Sequence, residues 1–264
     1  MSATERLVSE TTISLVDVVA ARKRLQGAIY YTPCAHSQVL SALTGQQVFL
    51  KLENLQMTGS FKERGALNRI ALLTSEQAER GVVAASAGNH AQGVAAAAAL
   101  LGMPALIVMP SDAPRAKRER TAAFGAEVVL YDRLREDREA IARAIASKRN
   151  ATLVPPYDDP QIIAGQGTAG REIVEDLAAL GLTPDVVVVT ASGGGLSAGV
   201  ALAVKARVPQ ARLFTAEPEN FDDHARSFRS GERANDSNSV MRTIAERMSD
   251  KAMAAVAEYI YGLR

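Results

Sequence analysis

The sequence predicts an α/β protein, with parallel β-sheet covered by helices on both sides. Three observations carry this. Short apolar runs alternate with helical stretches along most of the chain, the order of strand–helix–strand units. Four consecutive valines, Val186 to Val189, read as a strand buried on both faces. Small residues crowd three places where a strand hands over to a helix, around Ser60, Gly88 and Gly194, and such junctions aim backbone N–H groups at one point.

Taken in order, Ile13, Val16, Val19, Ala20 and Leu25 keep helical spacing and give a helix over 12–28. Val48 to Leu52 reads as a short strand, and a helix reaching Leu73 follows, with Ser60 as its N-cap. Val82 to Ala85 is a small apolar strand, followed by an alanine-rich helix that ends at Gly102. Ala105 to Met109 is the next strand, closed by Pro110. A basic helix over 114–124, a strand from Glu127 to Leu130 and a charged helix over 134–149 come next. Thr152 to Val154 leads into a turn at Pro155 and Pro156, and Ala164 to Leu180 is helical until Gly181 ends it. A strand from Asp185 to Val189, a helix from Leu196 to Arg207 and a last clear strand from Arg212 to Ala216 complete the alternation.

Composition narrows the function. With 264 residues, 47% of them hydrophobic, the chain can bury a sizeable core. Thirty basic against twenty-nine acidic residues leave a net charge of +1, which argues against a nucleic-acid-binding surface. The single cysteine, Cys34, excludes an internal disulfide, fits a reducing cytosol and reads as a packing residue. The start lacks a secretion-signal pattern, and no apolar run approaches the roughly 20 residues of a membrane helix. A soluble, cytoplasmic protein is expected.

Three motifs carry chemistry. Lys62 falls in the first turn of a helix, where partial positive charge favours the free amine. Such an amine can attack a carbonyl and form a Schiff base. The run Ser192-Gly193-Gly194-Gly195-Leu196 leaves the valine strand and enters a helix, and consecutive glycines there let N–H groups converge on a phosphate. Its spacing fits neither the dinucleotide fingerprint nor the P-loop. At the third junction, Ser86-Ala87-Gly88-Asn89-His90, small residues expose donors for a carboxylate, and Asn89 can hydrogen-bond a ring oxygen. His90 reads as a hydrogen-bonding residue rather than an acid–base catalyst.

Together, Ser60-Phe61-Lys62-Glu63-Arg64-Gly65-Ala66, Ser86-Ala87-Gly88-Asn89-His90-Ala91-Gln92-Gly93 and Ser192-Gly193-Gly194-Gly195-Leu196 resemble the fold-type II pyridoxal-phosphate enzymes. The branch they resemble most is that of the threonine and serine dehydratases, which includes serine racemase. Ile162-Ile163-Ala164-Gly165-Gln166-Gly167-Thr168 supports that branch, and the resemblance covers about residues 13–227. It implies a tryptophan-synthase-β-like fold of two parallel-sheet domains with the cofactor between them. Residues 1–77 and 155–227 would form the large domain and residues 78–154 the small one.

The same resemblance assigns roles. Lys62 would be the Schiff-base lysine and then the base that removes the Cα proton, and Phe61 would lie against the cofactor ring. Asn89 would hydrogen-bond the ring's 3′-oxygen, and Ser192, Gly193, Gly194, Gly195 and Leu196 would hold the phosphate. Ser86, Gly88, Asn89 and His90 would receive the carboxylate of a small amino-acid substrate. The implied reaction eliminates the β-hydroxyl of threonine or serine, giving a 2-oxo acid and ammonia. Ala87 stands where racemases of this branch place a second serine, so dehydration is favoured over racemisation. Glu217, the carbonyl of Phe221 and Asp223 match the branch's divalent-cation site, suited to Mg²⁺, Mn²⁺ or Ca²⁺. Relatives associate as dimers or tetramers, so a homo-oligomer is expected.

After Ser227 the resemblance fails. Residues 228–264 read as a polar loop and two short amphipathic helices, similar to the end of a class I cytochrome c. The chain holds no Cys-x-x-Cys-His for haem attachment. The large domain therefore reads as truncated, and a non-catalytic remnant of the fold is the alternative reading.

Overall fold

A computed structural model describes residues 13–217. Helix α1 (Leu15–Leu25) starts where the Ser14 N–H donates to Asp17 Oδ2 at 2.8 Å, and its Val18, Ala21 and Leu25 face inward. A small antiparallel pair follows, β1 (Cys34–His36) against β2 (Phe49–Lys51), with α2 (Gln38–Thr44) between them. The sequence pattern shows only β2, because β1 is three residues long and mostly exposed. Helix α3 (Lys62–Ile70) begins one residue later than the expected cap implies. Phe61 occupies the N-cap position, and Ser60 Oγ instead accepts the Lys62 N–H at 3.4 Å. The short α4 (Ser75–Arg80), absent from the sequence reading, is closed by a capping box between Thr74 and Gln77.

Four strands, β3 (Val82–Ala85), β4 (Ala105–Pro110), β5 (Glu127–Tyr131) and β6 (Thr152–Leu153), form one parallel sheet in the order β5-β4-β3-β6. They are joined by α5 (Asn89–Leu100), α6 (Arg115–Ala123) and α7 (Arg138–Arg149). One face packs Ile107, Met109 and Val82 against α3 and the alanines of α5. The other packs Val83, Leu106 and Val108 against Ala142 and Ala146 of α7. At the central strands β3 and β4 both faces are dry, as parallel pairing of this kind requires, while the edge strands leave Leu130 and Leu153 partly exposed.

Helix α8 (Pro160–Ala179) starts four residues earlier than expected, with Asp159 as N-cap and proline in its first turn. Then β7 (Val186–Thr190), α9 (Gly195–Arg207) and β8 (Arg212–Ala216) make a strand–helix–strand unit whose strands pair in parallel. Here the expectation for the valines needs correction. Val187 and Val189 are buried with Val200, Val204 and Leu213, but Val186 and Val188 are 40% and 48% exposed. Among the described residues, helices cover only one face of this pair, so valine content alone did not reveal the open face.

Candidate active site

Lys62 opens α3, and its amine is turned inward to donate to Pro156 O at 2.6 Å. Burial pushes the amine down to a pKa of about 8. The sequence reading attributed this to the helix terminus; removal from water is the cause in the fold. Phe61 lies beside it, with its ring centre 5.2 Å from Lys62 Nζ. Behind the lysine, a Cβ on Gly93 would come within 3.1 Å of the Lys62 carbonyl carbon, so α5 packs directly against the backbone that carries the amine.

The glycine run forms the turn into α9. Gly194 has φ +85°, a left-handed conformation that favours glycine. Ala198 N–H is bonded to Gly194 O at 2.9 Å, so the N–H groups of Gly195, Leu196 and Ser197 lie in the turn before that bond, where helices hold anions. Tyr157, missed in the sequence, closes this turn: a Cβ on Gly193 would run into its ring, and one on Gly195 would lie 2.8 Å from its carbonyl oxygen. The only sequence signal was its place in the Pro155-Pro156-Tyr157 turn.

At the third junction Gly88 is the N-cap of α5, and Ser86 Oγ accepts the Gly88 N–H at 3.1 Å. His90 is 3% exposed, and its Nε2 lies 3.0 Å from Val154 O. A carbonyl can only accept, so Nε2 carries the proton. Burial first, and the Lys62 charge second, push His90 down to about 4, against the opposing effect of the Val154 bond. The ring is therefore neutral at pH 7 and engaged in the fold, in agreement with the hydrogen-bonding reading.

These parts share one cavity of about 390 Å³. Phe61, Lys62, Ser86, Asn89, His90 and Ser192 to Leu196 all line it, and Gly88 alone of the expected cofactor and substrate residues stands back from the wall. Arg138, at the start of α7, also lines it and was not anticipated. Nothing in its local sequence marks it, because α7 reaches the cavity only through the packing of the four-stranded sheet.

A buried ion network anchors α3 from beneath. Arg64, 0% exposed, donates to both oxygens of Glu53 at 2.7 and 2.8 Å and to both oxygens of Glu172 at 2.8 Å. Glu172 also pairs with Arg22 at 2.7 Å and Lys51 at 2.8 Å. Burial pushes the Glu172 carboxyl up, but hydrogen bonds from Arg64 and Lys51 outweigh it and leave the pKa below the ordinary value.

Of the expected cation site, Glu217 follows β8; Phe221 and Asp223 lie outside the described residues, as does the tail 228–264. Among the described residues no group of three or more His, Cys, Asp or Glu side chains could hold a metal. No helix among them is long and apolar enough to cross a membrane.

Fold and site together define an α/β protein in which a buried amine and a glycine anion cradle face one cavity between two parallel sheets. The chain belongs to the pyridoxal-phosphate dependent enzyme family, whose model matches residues 25–262. That match runs past Ser227, where the motif resemblance stops. The chain is 51% identical over 215 residues to the L-threo-3-hydroxyaspartate ammonia-lyase of a Pseudomonas species, covering 81% of this chain and 66% of that protein. It is 48% identical to the L-threonine ammonia-lyase of Thermotoga maritima, covering 83% of this chain and 54% of that one. The chain thus spans about half to two thirds of these relatives' length. Among solved structures, the T.th. threonine deaminase matches with a TM-score of 0.76 at 45% identity, over 83% of this chain and 69% of that one. Maize serine racemase matches with a TM-score of 0.78 at 38% identity, over 83% and 65%. The fold-type II expectation is borne out.

The residues present fit pyridoxal phosphate. A Cβ on Gly193 or on Gly195 would meet Tyr157, and this turn, which opens α9, lines the cavity, so a helix N-terminus bare of side chains is available to an anion there. The amine required for carbonyl capture, that of Lys62, lines the same cavity.

Proposed function

We propose that this protein eliminates the β-hydroxyl of a small amino acid, releasing a 2-oxo acid and ammonia. The observation that carries this is the shared cavity: the Lys62 amine, pushed down to about 8, and the α9 turn both line it. When bound, pyridoxal phosphate supplies an electron sink for the pair left on Cα. Ser192, Gly193, Gly194, Gly195 and Leu196 hold the phosphate, Phe61 lies against the ring, and Asn89 meets the ring oxygen. Ser86, Gly88, Asn89 and the N–H of His90 orient the substrate carboxylate at the start of α5. With its amine pushed down to about 8, Lys62 holds a share of free amine near neutral pH that its ordinary value would not allow, and in that form it accepts the Cα proton. Ala87 has no group to deliver a proton from the other face, which favours elimination over racemisation. Residues 78–154 act as the small domain across the cavity from the large one. A cytoplasmic home and a homo-oligomeric state complete the proposal, supported by the lone half-buried Cys34 and by the family. A divalent cation at Glu217, Phe221 and Asp223 is part of the same reading.

A second reading of the substrate rests on Arg138. A guanidinium on the cavity wall suits a second carboxylate, and Arg138 is only loosely paired, 3.9 Å from Glu139. The Pseudomonas relative named for 3-hydroxyaspartate points the same way. The test is turnover of threonine, serine and L-threo-3-hydroxyaspartate by the purified chain with pyridoxal phosphate, followed by 2-oxo acid release. If no visible band stays with the protein after free cofactor is removed, or if the band persists in Lys62→Ala, the reading fails. Under the Arg138 reading, Arg138→Ala lowers kcat/KM for 3-hydroxyaspartate by about 10-fold or more and leaves threonine nearly unchanged.

A further inference from the structure

Helix α8 stands between the two walls of the site, touching α3 on one side and α9 on the other. Both contacts bring backbones together through glycine. On the α3 side, a Cβ at Gly165 would lie 2.6 Å from both Arg64 O and Gly65 Cα. On the α9 side, a Cβ at Gly199 would lie 2.6 Å from Gly167 N, and one at Gly167 would lie 2.9 Å from Gly199 O. No side chain enters either contact unless a helix moves outward, because the atoms in the way are backbone. Since α3 opens with Lys62 and α9 opens with the glycine turn, displacement on one side carries away the amine and on the other the anion cradle.

We propose that α8 gauges the site. Gly165 positions Lys62, Gly199 positions the turn from Ser192 to Leu196, and the two act separately, so that the thickness of one helix sets the span from amine to cradle. The proposal rests on reading the cavity as the pyridoxal-phosphate site. The segment that opens α8 reinforces it on both sides. Pro156 O receives the Lys62 amine, and Tyr157 closes the glycine turn. Near its far end, α3 is clasped to the start of α8 by Arg69 to Asp159 at 2.9 Å and by Asn68 Nδ2 to Gln161 O at 2.7 Å.

Two probes separate the halves in the full chain. Pyridoxal without phosphate, trapped by borohydride and located by peptide mass spectrometry, reads the amine. The affinity for 4′-deoxypyridoxine 5′-phosphate, which has no aldehyde, reads the cradle. Gly165→Ala slows trapping at Lys62 by about 10-fold or more and leaves the phosphate probe within about 3-fold of wild type; Gly199→Ala does the reverse. Loss of both readouts in parallel in either variant overturns the proposal. So does a selective weakening of the phosphate probe in Val204→Ala equal to that in Gly199→Ala, compared at an equal fall in melting temperature. If Gly165→Ala does not fold, Arg69→Gln loosens α3 without adding atoms: slower trapping alone supports the amine half, and unchanged trapping overturns it. If Gly199→Ala does not fold, Gly170→Ala, whose added Cβ would lie 2.8 Å from Val200 Cα, presses on the same α8–α9 contact: weaker binding of the phosphate probe alone supports the cradle half, and unchanged binding overturns it. Wild-type protein that binds no 4′-deoxypyridoxine 5′-phosphate overturns the cofactor-site reading instead.

Discussion

The two parallel sheets supply the cavity by the same device and are built differently. In each, a strand ends in small residues and a helix begins at the cavity, β3 into α5 and β7 into α9. The central strands β3 and β4 of the four-stranded sheet are covered on both faces, whereas β7 alternates buried and exposed valines. Their junctions differ as well. The first carries polar and titratable groups, Asn89 and the buried His90, while the second offers backbone donors under Tyr157. One strand–helix unit can therefore present side-chain chemistry and another an anion cradle, with the sequence of the turn deciding which. How much of each sheet is buried is decided elsewhere, by the helices packed on it.

The sharpest way to break this division of labour is to remove the group that faces both junctions. Lys62→Ala should abolish covalent capture of pyridoxal phosphate and lower 2-oxo acid release by about 10³-fold or more, while the phosphate-bearing probe still binds. Equal loss of probe binding would show that cradle and amine are not separate parts.

Next in size is the contrast in burial. Ile107→Ala in β4, 0% exposed, should destabilise the fold by about 2–5 kcal/mol in a denaturant titration.

Acidity offers a third measure. Lys62 has a folded pKa of about 8 against an ordinary value of 10.5. Between those values the unfolded chain binds more protons than the folded one, so stability of the cofactor-free protein rises as pH rises from about 8 to 10.5. The gain is about 3 kcal/mol at most. Lys62→Met removes that slope. The rate of covalent capture should climb through an inflection near pH 8, and a climb centred near 10.5 would contradict a buried amine. At the β3–α5 junction, His90 is depressed from 6.5 to about 4, so stability declines as pH falls across that window. His90→Asn should flatten the decline.

The smallest effect tests the open face of β7. Val188→Thr, at a position 48% exposed, should change stability by less than about 0.5 kcal/mol. A loss close to that of Ile107→Ala would mean that something covers this face.

Most strands and helices and the three junctions that meet at the cavity were legible because each is local. Strand alternation, helical spacing, a glycine in a left-handed turn and a lysine one step into a helix are fixed by neighbours a few residues away. Boundaries slipped where capping decided them: Asp159 starts α8 before the apolar pattern does, and Asp137 holds back α7 to Arg138. The short β1, α2 and α4 carry too few residues for a period to show.

What the tertiary structure alone decided lies between residues far apart in the chain. Burial against Pro156 makes Lys62 a weak base, Tyr157 roofs the glycine turn, and Arg138 reaches the cavity from α7. Glu172 gathers Arg22, Lys51 and Arg64, and α8 packs backbone-close on both α3 and α9 through glycines. The amino-acid order determines which groups stand at each junction. Only packing determines how far apart they stand and how much water reaches them, since distance and desolvation depend on every element that closes around the cavity.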